Sequence, residues 1–151
     1  MNINKAQKEI FNAMLSGKHV RKFEIDSDSV FITPDGFYGY VFPQTSLQIN
    51  IGRIASVKSL DIGKIVTDEN LCHLTKECVV NEFPKEILRK LRRGDQNIYF
   101  NQKYMDCFQN PKFYSEGSLG MIVVTEDISP IRLNTIVGAI MPKRVNEEAY
   151  K

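Results

Sequence analysis

Tryptophan is absent from the sequence, histidine occurs only twice, and the three cysteines are widely spaced. Two histidines, His19 and His73, are too few for a histidine-based metal site, and Cys72, His73 and Cys78 lack the paired Cys-x-x-Cys spacing of a zinc centre. No metal or other cofactor is expected. An odd number of scattered cysteines points to free thiols in a reducing compartment. No apolar run approaches ~18 residues, so no membrane-spanning helix is expected. The N-terminus is polar and lacks an apolar h-region, so no secretory signal is expected either. No glycine-rich phosphate loop, nucleophile–base pattern or tight carboxylate pair stands out. The chain therefore reads as a cytoplasmic protein that is not an enzyme. Net charge is only +2, which argues neither for nor against nucleic acid.

What is present is a chain of 151 residues with enough apolar content for a proper core. Residues 4–16 predict a helix. Ala6, Ile10 and Met14 fall on one stripe, Asn4 is placed to cap it, and Gly17 to end it. Strands are predicted over 20–25, 30–33 and 37–42, with a strong turn at Pro34-Asp35-Gly36. Leu47, Ile49 and Ile51 alternate with polar residues and predict a half-buried strand. In the middle of the chain, 62–67 and 71–74 suggest a hairpin and 78–80 a short strand. Residues 84–94 predict a short helix, with Pro84 in its first turn and Ile87, Leu88 and Leu91 on its apolar side. Ile98, Tyr99 and Phe100 predict a strand, and 101–109 a helix capped by Asn101. Residues 121–125 predict another strand, and 131–133 with 137–141 a closing hairpin.

The stretch 99–145 carries a further signal. Asn101, Lys103 and Tyr104 open a helix, and Thr125 and Glu126 end an apolar strand. Ser129, Pro130 and Ile131 start the next segment, and Met141, Pro142 and Arg144 close the series. In order and spacing this resembles the C-terminal half of the last domain of the bacterial DNA sliding clamp, the β subunit of the replicative polymerase. The last hairpin is shorter than in that family. Residues 4–51 repeat the helix-then-strands order without repeating the sequence. The resemblance implies an α+β fold: a single DNA-clamp-like domain with two helices packed on curved antiparallel sheets. Its parts would be a first half (1–51), an insertion (52–96), a second half (97–145) and a polar tail (146–151). The insertion and the tail depart from the family.

The resemblance also implies a non-catalytic sliding-clamp-like module associated with DNA replication. Residues around the clamp terminus line an apolar pocket for short peptides of partner proteins. This makes Ala139, Met141, Pro142 and Arg144 the candidate partner-binding residues. A Met supplies an adaptable apolar floor, and Arg pairs with acidic groups. The same residues also fit an ordinary edge strand with Met141 in the core. Clamp helices touch the DNA backbone loosely, so Lys5, Lys8 and Lys103 are candidates for weak DNA contact. Arg89, Lys90, Arg92 and Arg93, on the predicted helix 84–94, form a second basic group suited to phosphate or to an acidic protein. That group fits a solvated helix face equally well. One domain per chain would need a homo-hexamer to close a clamp-like ring. The alternative function is an interaction or inhibitor protein, of phage or mobile-element type, that uses a clamp-like fold to bind a host or phage enzyme.

Overall fold

A computed structural model describes residues 1–25, 27–50, 52, 54–57, 72–73, 75–78, 87–93, 95–115 and 121–145. The fold is α+β, with one α-helix and mostly antiparallel sheets among the described residues. Helix α1 spans Ile3–Leu15, close to expectation. The side chain of Asn2, rather than Asn4, caps it by accepting from Lys5 N at 3.1 Å. Ala6, Gln7, Ile10 and Ala13 form its buried stripe, and Gly17 follows its end with φ +72°.

Strands β1 (Arg21–Glu24), β2 (Ser29–Thr33) and β3 (Tyr38–Pro43) form an antiparallel meander. β4 (Ala55–Val57) pairs in parallel with β1, and β5 is Cys72–His73. β6 (Thr75–Cys78), β7 (Leu88–Arg93) and β8 (Gln96–Asn101) make a separate three-stranded sheet. β9 (Lys112–Ser115), β10 (Ile122–Glu126) and β11 (Thr135–Ile140) form a second meander. The large sheet runs β4-β1-β2-β3-β11-β10-β9-β5. The two meanders thus meet in the middle, where β3 pairs with β11.

Period-two alternation sorts the side chains of this sheet. Val30, Ile32, Tyr40, Phe42, Ile122, Val124 and Ile140 face α1 and join one core with Ala6, Ile10 and Ala13. Phe31, Val41, Val123 and Ala139 fall on the opposite face and form a second, smaller cluster. The central strands are therefore apolar on both sides. Ile98 and Phe100 of β8 and Leu91 of β7 enter the first core, and Phe100 packs on Phe113 with ring centroids 5.6 Å apart. At the seam, a Cβ on Gly39 would sit 2.6 Å from Ile32 O. One on Gly138 would sit 2.6 Å from both Gly39 O and the Phe108 ring. Only glycine fits at either position.

Four expectations are corrected. Residues 101–109 hold a single 3₁₀ turn, Gln102–Met105, instead of a second α-helix. Distant groups take the backbone bonds a longer helix would need. Glu126 Oε1 accepts from Gln109 N at 2.5 Å and Asn110 N at 3.1 Å. Cys107 O accepts from Asn2 N, and Asp106 O from Lys5 Nζ. The turn still shares a core with α1, on the same face of the sheet. Leu47 and Ile49 are not in a strand. A 3₁₀ turn at Gln44–Ser46 precedes them, and Gln7 of α1 bonds Ser46 O and Gln48 N, holding the segment off the ladder.

Where the helix 84–94 was expected, Leu88–Arg93 is β7, paired with both β6 and β8. Leu88 and Leu91, three apart, fit one helical face, yet in the strand they lie on opposite faces and both are buried. Residues 131–133 form a loop rather than a strand, and β11 takes β10 and β3 as its partners. The strand expected at 62–67, the start of the expected helix and the tail 146–151 lie outside the described residues, as does the strand expected at 78–80 apart from Cys78, which ends β6. Among the described residues, no helix is long and apolar enough to cross a membrane.

Candidate functional site

The turn between β2 and β3 is tied by its own side chains. Thr33 Oγ1 accepts from Gly36 N at 2.8 Å and donates to Tyr38 O at 2.6 Å. Asp35 Oδ1 accepts from Phe37 N at 2.9 Å. These bonds project Phe37 outward, 61% exposed. One step past the pairing of Ile140 with Tyr38, Met141 N donates to Phe37 O at 2.7 Å. This last rung sets Met141, 43% exposed, beside Phe37. Pro142 has no N–H to extend that ladder. The chain then crosses to the small sheet, where Lys143 N donates to Tyr99 O at 2.7 Å. Arg144 is exposed.

Phe37 and Met141 form a ridge with a groove on each side. The first groove, about 220 Å³, is apolar, with Phe23, Phe31, Met121 and Ala139 along it and Arg21 as the one charged group among the described residues. The second, about 520 Å³, has Tyr104 and Pro142 with Lys103, Lys143, Arg144 and Asp35. Tyr104 stacks on Tyr38 with ring centroids 4.3 Å apart, and Lys103 Nζ lies 5.3 Å from the Tyr104 centroid. The aromatic pair thereby fixes a cation at the groove wall.

Under this wall lies a polar cluster. Tyr40 donates to Glu9 Oε2 at 2.5 Å and Tyr38 donates to the same atom at 3.2 Å. Burial, followed by the charge of Glu9, raises the Tyr38 phenol above its ordinary value. Burial raises Tyr40 too, helped by hydrogen bonds with Cys107 and Glu9. The buried Cys107 thiol is pushed up to about 11, mainly by burial. Each group is held protonated, a structural fastening of α1 to the sheet.

Of the expected partner-binding residues, Met141, Pro142 and Arg144 come together on one groove. Ala139 does not join their exposed surface. It is 2% exposed and belongs to the floor of the apolar groove, because alternation turns it onto Phe31 and Val123. The expected basic residues separate into two groups. Lys5, Lys8 and Lys103 are exposed on the helix side of the large sheet. Arg89, Lys90, Arg92 and Arg93 are on β7, in the other sheet. The strand divides that group by period two. Arg89 pairs opposite Phe100, on the face of Leu91 and Ile98, while Lys90 and Arg92 take the other face. A single basic helical face is therefore not formed. Backbone pairing also assigns Cys72–His73 to the large sheet and Cys78 to the small one.

Phe37, Tyr104, Phe23 and Phe31 complete the grooves and were missing from the sequence-based set. An aromatic directly after the turn glycine, Gly36-Phe37, was the one available signal. No protein-family model, curated protein or solved structure matches this chain.

Proposed function

We propose that this protein is a non-catalytic, sliding-clamp-like module associated with DNA replication, which binds a partner peptide along the ridge of Phe37 and Met141. The ridge itself carries the proposal. Two large apolar side chains are held in water by a closed turn and a terminal ladder bond, between an apolar groove and a basic one. Preformed grooves with apolar floors and a few fixed charges suit peptide capture. Lys103, Lys143 and Arg144 outnumber Asp35 on the second groove, which favours an acidic flank. The peptide would set a Phe or Leu anchor in the apolar groove and lay Asp or Glu residues against these cations.

The clamp-like part of the reading has its own support. Each half of the chain runs a helix or helical turn and then a three-stranded meander, and both helical pieces pack on one sheet face. Lys5, Lys8 and Lys103 on that face suit loose backbone contact with DNA, of the kind that weakens steeply with salt.

Fluorescence anisotropy with a short labelled peptide tests the site. The probe has a Phe anchor flanked by Asp, and its control has Lys in place of Asp. The Asp peptide should bind, and Phe37→Ala and Met141→Ala should each weaken it about tenfold or more. Equal binding of the Lys-flanked control, or indifference to both substitutions, would overturn the reading.

A further inference from the structure

The basic groove holds more charge than one acidic side chain can answer. Lys103, Lys143 and Arg144 line it together with Asp35, a surplus of two positive charges among the described residues. Asp35 serves its own turn, where Oδ1 accepts from Phe37 N at 2.9 Å. The cations are also held in place. Lys103 Nζ lies 5.3 Å from the centroid of Tyr104, which stacks on Tyr38 at 4.3 Å. Tyr38 donates in turn to Glu9 at 3.2 Å, which fastens the ring pair under this cation to α1. Beyond Pro142, the 2.7 Å bond from Lys143 N to Tyr99 O ties the backbone just before Arg144 to the small sheet. A set of cations ordered in advance lowers the cost of holding an anion.

A phosphomonoester matches this set. It carries about −1.5 to −2 charges at pH 7, close to the surplus, where a carboxylate carries only one. Its terminal oxygens can each meet a cationic side chain, and a guanidinium such as that of Arg144 can bond two of them at once. The groove, about 520 Å³, has room for a phosphorylated side chain. A nucleic-acid backbone fits less well. Each of its phosphodiesters carries a single charge. A single strand also calls for cations along its whole track and for successive stacking aromatics. Here the cations gather on one side of the ridge, and the groove on the other side has Arg21 alone among the described residues.

We infer that the acidic element of the bound peptide is a phosphorylated serine or threonine, its phosphate held by Lys103 and Arg144 with Lys143 beside them. The inference rests on the peptide site proposed above and deepens it, since capture becomes conditional on phosphorylation of the partner. The apolar anchor and the phosphate lie on the two sides of the Phe37–Met141 ridge.

Four versions of the anisotropy peptide test this. They differ at one residue beside the Phe anchor, placed on either side of it in turn. That residue is phosphoserine, Asp, serine, or phosphoserine methyl ester, whose phosphate keeps a single charge. Phosphoserine should bind about tenfold more tightly than Asp and about 30-fold more tightly than serine. The methyl ester should fall back to the level of Asp. With Lys103→Gln and Arg144→Gln combined, phosphoserine should lose most of its lead over serine. Both positions are exposed, so an unchanged thermal melt will confirm folding. Equal affinity for the Asp and phosphoserine peptides would overturn the inference and leave the proposed peptide site standing. A methyl ester as tight as phosphoserine would also overturn it and assign the groove to phosphodiesters. An undiminished lead of phosphoserine in the double variant would place the phosphate elsewhere, against the inference. If none of the four peptides binds, the inference and the proposed function fall together.

Discussion

Ile140 and Met141 are consecutive, and their replacement by Ala should separate stability from binding. Ile140 is fully buried in the core beneath α1. Its truncation leaves a cavity between sheet and helix, at a cost of about 2–5 kcal/mol. Met141 is 43% exposed and lies on an open groove, so truncation leaves no enclosed void. Burying a Met fully is worth about 1.5–3 kcal/mol. A little over half of that surface is covered here, which scales the loss to about 1–1.5 kcal/mol. For a domain of this length, 1 kcal/mol moves the melting temperature by roughly 2–4 °C. Calorimetry should therefore show a fall of about 3 °C for Met141→Ala and roughly 10 °C for Ile140→Ala. Peptide affinity should follow the reverse order for the part of the loss not due to unfolding. If Met141→Ala melts as low as Ile140→Ala, Met141 is a core residue. The ridge, and the peptide site built on it, would then fall together.

Two further outcomes test the fold beneath the site. Gly138→Ala forces a Cβ to 2.6 Å from the Gly39 carbonyl, which is itself locked in the ladder, and should cost about 1–3 kcal/mol. A melt within a degree or so of wild type would show that the seam has room to spare. At alkaline pH, Cys107, Tyr38 and Tyr40 hold protons in the folded state that the unfolded chain releases from about pH 9 upward. Stability should be fully present below pH 9 and fall as pH rises through the raised folded value of Cys107, about 11. Thermal melts between pH 8 and pH 11 would show this, and Cys107→Ala should remove the earliest part of the fall. A flat profile through pH 10 would contradict the buried thiol.

Where one residue pattern served one environment, the sequence was a sufficient guide. Ala6, Ile10 and Gly17 delimited α1, and the β-branched and aromatic runs delimited β2, β3, β8 and β10. The failures arose where distant groups overrode local pattern. Asn101 caps its turn as expected, by accepting from Lys103 N. The turn stops there because Glu126 draws off the N–H groups of Gln109 and Asn110. Gln7 removes Ser46 and Gln48 from strand pairing in the same way. Residues 131–133 look like a strand only if the side chains of Asp127 and Ser129 are ignored. These two satisfy the backbone donors of Ile131, Arg132 and Asn134, so no ladder is needed. Phe113 of β9 was overlooked because a four-residue strand after Pro111 offers too short an alternation to register.

The site was legible on one side only, and the reason is topological. Met141, Pro142 and Arg144 are close in sequence, so a single motif exposed them. Phe37 joins them solely because β3 pairs with β11, a contact made across most of the chain that no local pattern encodes. That pairing brings Gly39 O within 2.6 Å of where a Cβ on Gly138 would sit, and the bond from Met141 N to Phe37 O is its final rung. The ridge is thus the exposed end of this closely packed seam. A displacement at Gly138 would be transmitted three residues on, to the backbone that sets Met141 against Phe37. The proposed peptide would meet a surface whose spacing is set by glycines, with a Phe108 ring packed on one of them, and not by the residues it touches.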